Sequence, residues 1–163
     1  MKGNTVGSRS NINLSYIAGF LDGDGSIMLQ IKKRSDTKTG YRFMATICLY
    51  QDSRHDTPLF WMKNILGIGY ITKRNDHISE LRINGFKTVQ RILTDLQPYI
   101  RFKKLQTEAM IRACQTLNCG INKLSKEQII ELIDLVLLIQ RENYKAHKKK
   151  SRDEMLKIFG LTP

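Results

Sequence analysis

Residues 15–26 read Ser15-Tyr16-Ile17-Ala18-Gly19-Phe20-Leu21-Asp22-Gly23-Asp24-Gly25-Ser26, and this stretch decides the fold. Leu14, Ile17, Ala18 and Leu21 are spaced for one helical face, with Asn13 as the cap residue. The helix is predicted to stop within Asp22-Gly23-Asp24-Gly25, where two glycines favour termination. A glycine inside a helix costs roughly 1 kcal/mol against alanine, so something must offset it. Gly19 and Gly23 lie four apart, hence on one face, where small residues let a second helix backbone approach closely. The chain contains one such segment, so the predicted partner is its own copy across a two-fold axis. Ala18, Gly19, Asp22 and Gly23 are the expected interface residues.

That axis would bring Asp24 close to its symmetry mate. Two carboxylates at adjacent helix C-termini repel, and a divalent cation resolves the conflict. Mg²⁺ takes a few carboxylates with carbonyl, water and phosphate oxygens, and such an arrangement offers the carboxylates and carbonyls. In isolation the tetrapeptide also reads as an ordinary helix-stop turn. A calcium loop is excluded: counted from Asp22, the sixth position is Ile27 instead of Gly and the twelfth is Lys33 instead of Glu.

Beyond residue 25 the hydrophobic period changes from 3.6 to 2. Ile27, Leu29 and Ile31 alternate with Ser26, Met28, Gln30, Lys32 and Arg34 over residues 26–34. In residues 42–50, Phe43, Ala45, Ile47 and Leu49 point one way, with Arg42, Met44, Thr46, Cys48 and Tyr50 opposite. The polar residues 35–40 between them predict a long hairpin. Asp56-Thr57-Pro58 caps and starts a helix that ends at Gly67. A second hairpin is expected from 70–74 and 78–84 with its turn at Asn75-Asp76, followed by helices near 86–96, 104–117, 126–146 and 153–159. The order gives an α+β class with one four-stranded antiparallel sheet, apolar towards helices and polar on its open face. Residues 1–11 are expected to be flexible and 12–163 to form one domain, with a core over about 12–115 and C-terminal helices over about 116–160.

Composition points to a polyanionic partner. The chain carries 27 Lys plus Arg against 15 Asp plus Glu, a formal net charge of +12. Each phosphate neutralised by such a surface releases counterions, so nucleic acid is the favoured partner. A membrane is disfavoured, since no apolar run approaches the ~20 residues of a spanning helix and no basic-then-apolar leader is expected. Cys48, Cys114 and Cys119 contain no C-x-x-C pair, which excludes a disulfide framework and a four-ligand zinc site. They read as reduced, intracellular thiols. His77 and His147 have no metal-type spacing to each other or to His55.

Residues 16–26 (YIAGFLDGDGS) closely resemble the signature motif of LAGLIDADG homing endonucleases. Gln51, the Leu66-Gly67-Ile68-Gly69-Tyr70 turn, and Leu96-Gln97-Pro98-Tyr99 before Arg101-Phe102-Lys103 extend the likeness to the short, one-motif branch over about residues 12–115. The resemblance implies an α-β-β-α-β-β-α core with a saddle-shaped sheet and a homodimer on double-stranded DNA. It also implies Mg²⁺ as cofactor, with Mn²⁺ substituting and Ca²⁺ binding without supporting cleavage; no small-molecule cofactor is expected. By its analogy Asp24 is the essential metal ligand and the Gly23 carbonyl a second. Asp22 stands by in support. Gln51 and Lys103 match the polar pocket that orders water and phosphate. The third pocket position, usually an arginine, falls on His55 when no gap is introduced, with Arg54 as the alternative. The family analogy and the period-2 reading agree on one DNA-reading set: Gln30, Lys32, Arg34, Arg42, Met44, Thr72, Arg74, Glu80 and Arg82. Glu80 either accepts from cytosine or holds Arg82. Thr37, Lys38 and Thr39 extend the reach at the hairpin tip, and Lys148, Lys149, Lys150 and Arg152 are phosphate contacts or a solvated face.

The implied reaction is a double-strand break with short 3′ overhangs in a long pseudo-palindrome, promoting intron or intein mobility. Family precedent places it in a chloroplast, a mitochondrion or an archaeal cytoplasm. The alternative is a non-cleaving member of the fold that serves as a maturase or transcriptional regulator. Asp24, Gln51 and Lys103 argue against it.

Overall fold

The computed structural model describes residues 10–143 and 149–162. The first helix, α1 (Asn11–Asp24), starts one turn earlier than its hydrophobic spacing suggests, because the Ser10 hydroxyl accepts the Asn13 N–H at 3.3 Å. Ser10 is therefore the cap, not Asn13. Residues 10 and 11 belong to this capped start, and the rest of the expected flexible segment, 1–9, lies outside the described residues.

The helix runs directly into β1 (Gly25–Lys33), which pairs with β2 (Tyr41–Asp52). A short 3₁₀ turn (Ser53–His55) leads to α2 (Thr57–Leu66), which ends on Gly67 in the left-handed region at φ 72°. Asp56 makes no capping bond there; its carboxylate instead accepts from Ser79 at 2.8 Å and faces Lys73 at 3.6 Å. The second hairpin is β3 (Tyr70–Lys73) and β4 (Ile78–Asn84), joined through His77, which takes φ 61°. Four helices follow: α3 (Phe86–Leu96), α4 (Lys104–Leu117), α5 (Lys126–Glu142) and the short α6 (Arg152–Ile158).

The strands order as β1-β2-β4-β3, antiparallel throughout. Side chains of one parity, among them Ile27, Leu29, Ile47, Leu49, Leu81 and Ile83, are buried under the helices with Ile17 and Leu21 of α1. One core cluster extends from Leu14 to Leu156, so the C-terminal helices share the core of the sheet. α6 joins it through Met155 and Leu156, and Phe159 just past its end stacks on Phe43 of β2 at 5.2 Å. α5 is tied to β1 by the Asn143 side-chain amide, which donates to the Ile27 carbonyl at 3.0 Å. Truncating one of these aliphatic side chains to alanine would cost about 2–5 kcal/mol.

The opposite face departs from simple alternation. Thr46 and Cys48 have the outward parity but are fully buried. Both sit on the central strand, where longer side chains from its neighbours fold across them: Thr46 donates to Asn84 at 2.8 Å, and Cys48 lies opposite Arg82 in the ladder.

Candidate functional site

The site begins where α1 becomes β1 without a loop. A Cβ on Gly25 would stand 2.6 Å from Leu21 Cδ1, 2.8 Å from Leu21 Cα and 2.9 Å from the Leu21 carbonyl oxygen. No side chain fits, and glycine is required by contact; its φ of −102° is ordinary. The junction leaves Asp24, exposed, at the C-terminal end of the helix, where unpaired carbonyls and the helix dipole make the potential negative.

Asp22 does not face outward as expected of an interface residue. Its carboxylate turns into its own chain and accepts backbone N–H groups from Arg101 at 2.6 Å, Phe102 at 3.2 Å and Lys103 at 3.0 Å. Ala18 is likewise fully buried against the core of its own chain. A helix turns about 100° per residue, so positions 18 and 22 share a stripe that turns into the chain, while 19 and 23 share the next one round. The outward stripe consists of Ile12, Tyr16, Gly19 and Gly23. Nothing lies within 4 Å of a Cβ built on Gly19 or Gly23, so no contact inside the chain explains either glycine. Ile12 (75% exposed) and Tyr16 (57%) continue this surface, and Tyr16 packs edge-on against Trp61 of α2. Phe102, in the loop fastened by Asp22, is 84% exposed.

Lys103 is brought to the helix end by that same loop. Its ammonium donates to the Asp22 carbonyl at 2.6 Å. Burial pushes its pKa down, and the nearby charges of Asp22 and Asp24 oppose the shift, which puts Lys103 within electrostatic reach of Asp24. Gln51 has the parity of Leu49, whose ladder partner is Gly25, so it stands roughly 7 Å along β2 from the end of α1. Its side-chain carbonyl accepts the Asp52 N–H at 2.8 Å, leaving the amide N–H groups as donors. Arg54 is committed elsewhere: its guanidinium grips both oxygens of Asp52, at 3.0 and 2.8 Å. This pairing holds the Asp52 carboxyl well below the usual carboxylate range. His55, next to it, is exposed. Among the described residues no hydrogen bond joins Gln51 or His55 to Asp24 or Lys103.

The donors at the helix end are oxygens, the Asp24 carboxylate and the carbonyls of the last turn, a set that suits a hard divalent cation. Among the described residues no three His, Cys, Asp or Glu side chains cluster as a metal cage. The oxygens that could contribute to a cation site here are the Asp24 carboxylate and the Gly23 carbonyl.

On the open face the ladder sets the predicted reading residues side by side. Gln30 stands opposite Met44, Lys32 opposite Arg42, and Thr72 opposite Glu80. Arg34 and Arg74 lie at the two hairpin turns, bonded to Asp36 and Asp76. Glu80 is 7% exposed and accepts from Arg82 at 2.9 Å, so in this chain it holds Arg82. Sequence reasoning missed two other linkages: Ser26 with Tyr50 at 3.0 Å, and Asn84 donating to the Tyr70 hydroxyl at 3.2 Å. Lys149 and Lys150 line a cavity of about 550 Å³ with Gln30 and Lys32, whereas Arg152 is bonded to Asp134 of α5. Lys148 and His147 lie outside the described residues. No helix among the described residues is long and apolar enough to cross a membrane.

This architecture has known counterparts. The profile of the LAGLIDADG endonuclease family matches residues 17–110. DNA endonuclease I-CvuI of Chlorella vulgaris is 31% identical over 106 residues, 65% of this chain and 66% of that protein. DNA endonuclease I-CreI of Chlamydomonas reinhardtii is 28% identical over 146 residues, 90% of this chain and 88% of that protein. The crystal structure of I-CvuI with its target in the presence of Ca superposes with a TM-score of 0.83 at 24% identity, covering 93% of this chain and 97% of that one. The archaeal intron-encoded I-Vdi141I in complex with DNA superposes at 0.79 and 22% identity, over 92% and 96%. The α-β-β-α-β-β-α order, the acidic end of α1 and a profile match over more than half the sequence agree, and the chain belongs to the LAGLIDADG endonuclease family.

Proposed function

We propose that this chain is a homodimeric, divalent-metal-dependent homing endonuclease that hydrolyses one phosphodiester on each strand of a long pseudo-palindromic DNA site. The observation that carries the reading is the end of α1: an exposed Asp24 beside a helix stripe whose glycines, Gly19 and Gly23, leave open space in the single chain. A second copy of α1 fills that space and sets two Asp24 carboxylates near one axis. The kinship with proteins named as DNA endonucleases supports the same activity.

Asp24 and the Gly23 carbonyl would hold the cation, Mg²⁺ first and Mn²⁺ in its place, with Ca²⁺ binding without supporting cleavage. Bound there, the ion would supply Lewis acidity and water activation. The chain's own groups do the rest. Lys103 presents its ammonium to the phosphate, where negative charge develops. Gln51 donates amide N–H groups that orient water. His55, exposed and without a carboxylate grip, takes the third pocket position, since Arg54 is bound to Asp52. The open sheet face lies along the major groove and reads base edges with the set from Gln30 to Arg82. The two cuts leave short 3′ overhangs, and the break promotes mobility of an intron or intein.

Incubation of the purified chain with a randomised duplex pool and Mg²⁺ tests the reading, with cleaved members recovered and sequenced. A single pseudo-palindromic site is the expected product. Asp24→Asn is expected to lower the cleavage rate by roughly 10³-fold or more while binding of the recovered site persists. A variant that cuts at the parent rate removes Asp24 from the centre, and a chain that stays monomeric on its DNA removes the paired helices.

A further inference from the structure

On or beside the open sheet face, arginines are bonded to carboxylates two residues away. Arg34 Nε donates to Asp36 at 2.6 Å, Arg74 Nη2 to Asp76 at 2.7 Å, and Arg82 Nε to Glu80 at 2.9 Å. Arg54 with Asp52, at the end of β2, repeats the spacing. The remaining arginine ion pairs among the described residues belong to helices or their ends and use other separations: Arg112 with Glu131, Arg141 with Glu142, Arg152 with Asp134. Glu80 and Arg82 lie on β4, where side chains two apart share a side, and the Arg34 and Arg74 pairs sit in the turns that follow β1 and β3, so three of the pairs lie on or flank the open face.

Fold stability does not account for the pattern. Arg34 and Asp36 are 41% and 60% exposed, Arg74 and Asp76 are 47% and 51%, and open pairs of this kind add little to stability. The chain has only 15 carboxylates to set against 27 basic side chains, yet it stations three beside arginines of the proposed reading set. The bonds are well made: the Arg34 guanidinium holds the Asp36 carboxyl below the usual range, and Glu80 raises the pKa of Arg82. By contrast Lys32 and Arg42, opposite one another in the ladder, have no bonded carboxylate among the described residues.

A guanidinium neutralised by a carboxylate contributes little to a phosphate contact, because the affinity comes from releasing counterions that such a pair does not displace. A base edge makes a different demand. Guanine presents O6 and N7 to a fork of N–H groups, and a carboxylate bonded to Nε or one terminal nitrogen fixes the orientation of the fork and leaves other N–H groups free. We propose that Asp36, Asp76 and Glu80 are specificity-determining residues, which withhold Arg34, Arg74 and Arg82 from the DNA backbone and keep them for base edges. The inference rests on the reading of the open face as the DNA-binding surface.

The test uses the parent chain, Asp36→Asn/Asp76→Asn, Glu80→Gln, and a control, Glu108→Gln/Glu131→Gln, that removes two negative charges from α4 and α5 on the helical side. Each is titrated without divalent metal against a random-sequence duplex of about three helical turns, across a range of salt. The Asp36/Asp76 variant is expected to bind roughly fivefold tighter or more, with a log–log salt slope steeper by about 2 per bound chain, and Glu80→Gln steeper by about 1 per bound chain. The control keeps the parent slope. Equal slope changes in control and face variants, or none in the Asp36/Asp76 variant, overturn the inference. A parent chain that does not bind the duplex overturns the reading of the face itself. Asp36 and Asp76 are exposed, so their variant carries the test even where Glu80→Gln perturbs folding.

Discussion

The end of α1 and the open face of the sheet are held by different kinds of bond. At the helix end, Asp22 fastens the loop carrying Lys103 through three backbone N–H groups, and Gly25 leaves no space for a side chain against Leu21. On the sheet, the arginines are oriented by side-chain pairs that are mostly open to solvent. Backbone bonds made in a buried place resist substitution, whereas exposed side-chain pairs exchange at small cost. The groups proposed for the chemistry are thus positioned rigidly, and those proposed for recognition are replaceable one at a time.

The largest break in this contrast should come from Asp22→Ala. It strips the acceptor from three N–H groups and frees the loop, so unfolding by urea is expected to show a loss of about 3–5 kcal/mol, with cleavage abolished. A loss below about 1 kcal/mol would mean that the loop is held by something else. Lys103→Met comes next: cleavage should fall roughly 100-fold with the fold intact. Its pH dependence has a definite sign. Burial lowers the pKa of Lys103 in the folded chain, so between its folded and unfolded values the unfolded chain binds more protons. Parent stability relative to the Met variant should therefore rise with pH across a window that closes near the ordinary lysine value of 10.5. A flat difference in paired melting curves would show Lys103 to be solvated.

The third pocket position separates two neighbours. His55→Ala is expected to slow cleavage roughly tenfold, whereas Arg54→Ala, losing only an exposed pair with Asp52, should stay within about twofold. The reverse order in single-turnover rates would return the role to Arg54. Gly19→Ala is the smallest change and the sharpest. With open space around its Cβ, the single chain should gain about 1 kcal/mol of helix stability, while sedimentation shows weaker self-association. Unchanged self-association would mean that the glycine stripe faces no partner.

Much of this was legible in the residues, and the exceptions have physical causes. Helical spacing in α3 and α4 and alternation in β4 located those elements at their observed limits, since each carries a continuous apolar stripe. The start of α1 was misjudged because Ser10 and Asn13 are both good caps, and only the backbone ahead of the helix selects between them. Spacing alone grouped Ala18 and Asp22 with Gly19 and Gly23. Adjacent stripes on a helix diverge by 100°, and which of them turns inward depends on the loop at 101–103, some eighty residues away in sequence. The burial of Thr46 and Cys48 follows from neighbouring strands, which alternation along one strand does not report. The carboxylate partners of the sheet arginines were visible as a spacing of two, but a spacing does not state which groups bond.

The direct passage from α1 to β1 ties the acidic corner to the sheet with no intervening hinge. Under the proposed function, divergence of the face would retarget the protein to new genomic addresses without altering the stagger between the two incisions. Heritable change would then fall on the letters being read, while the geometry of the scission stays constant.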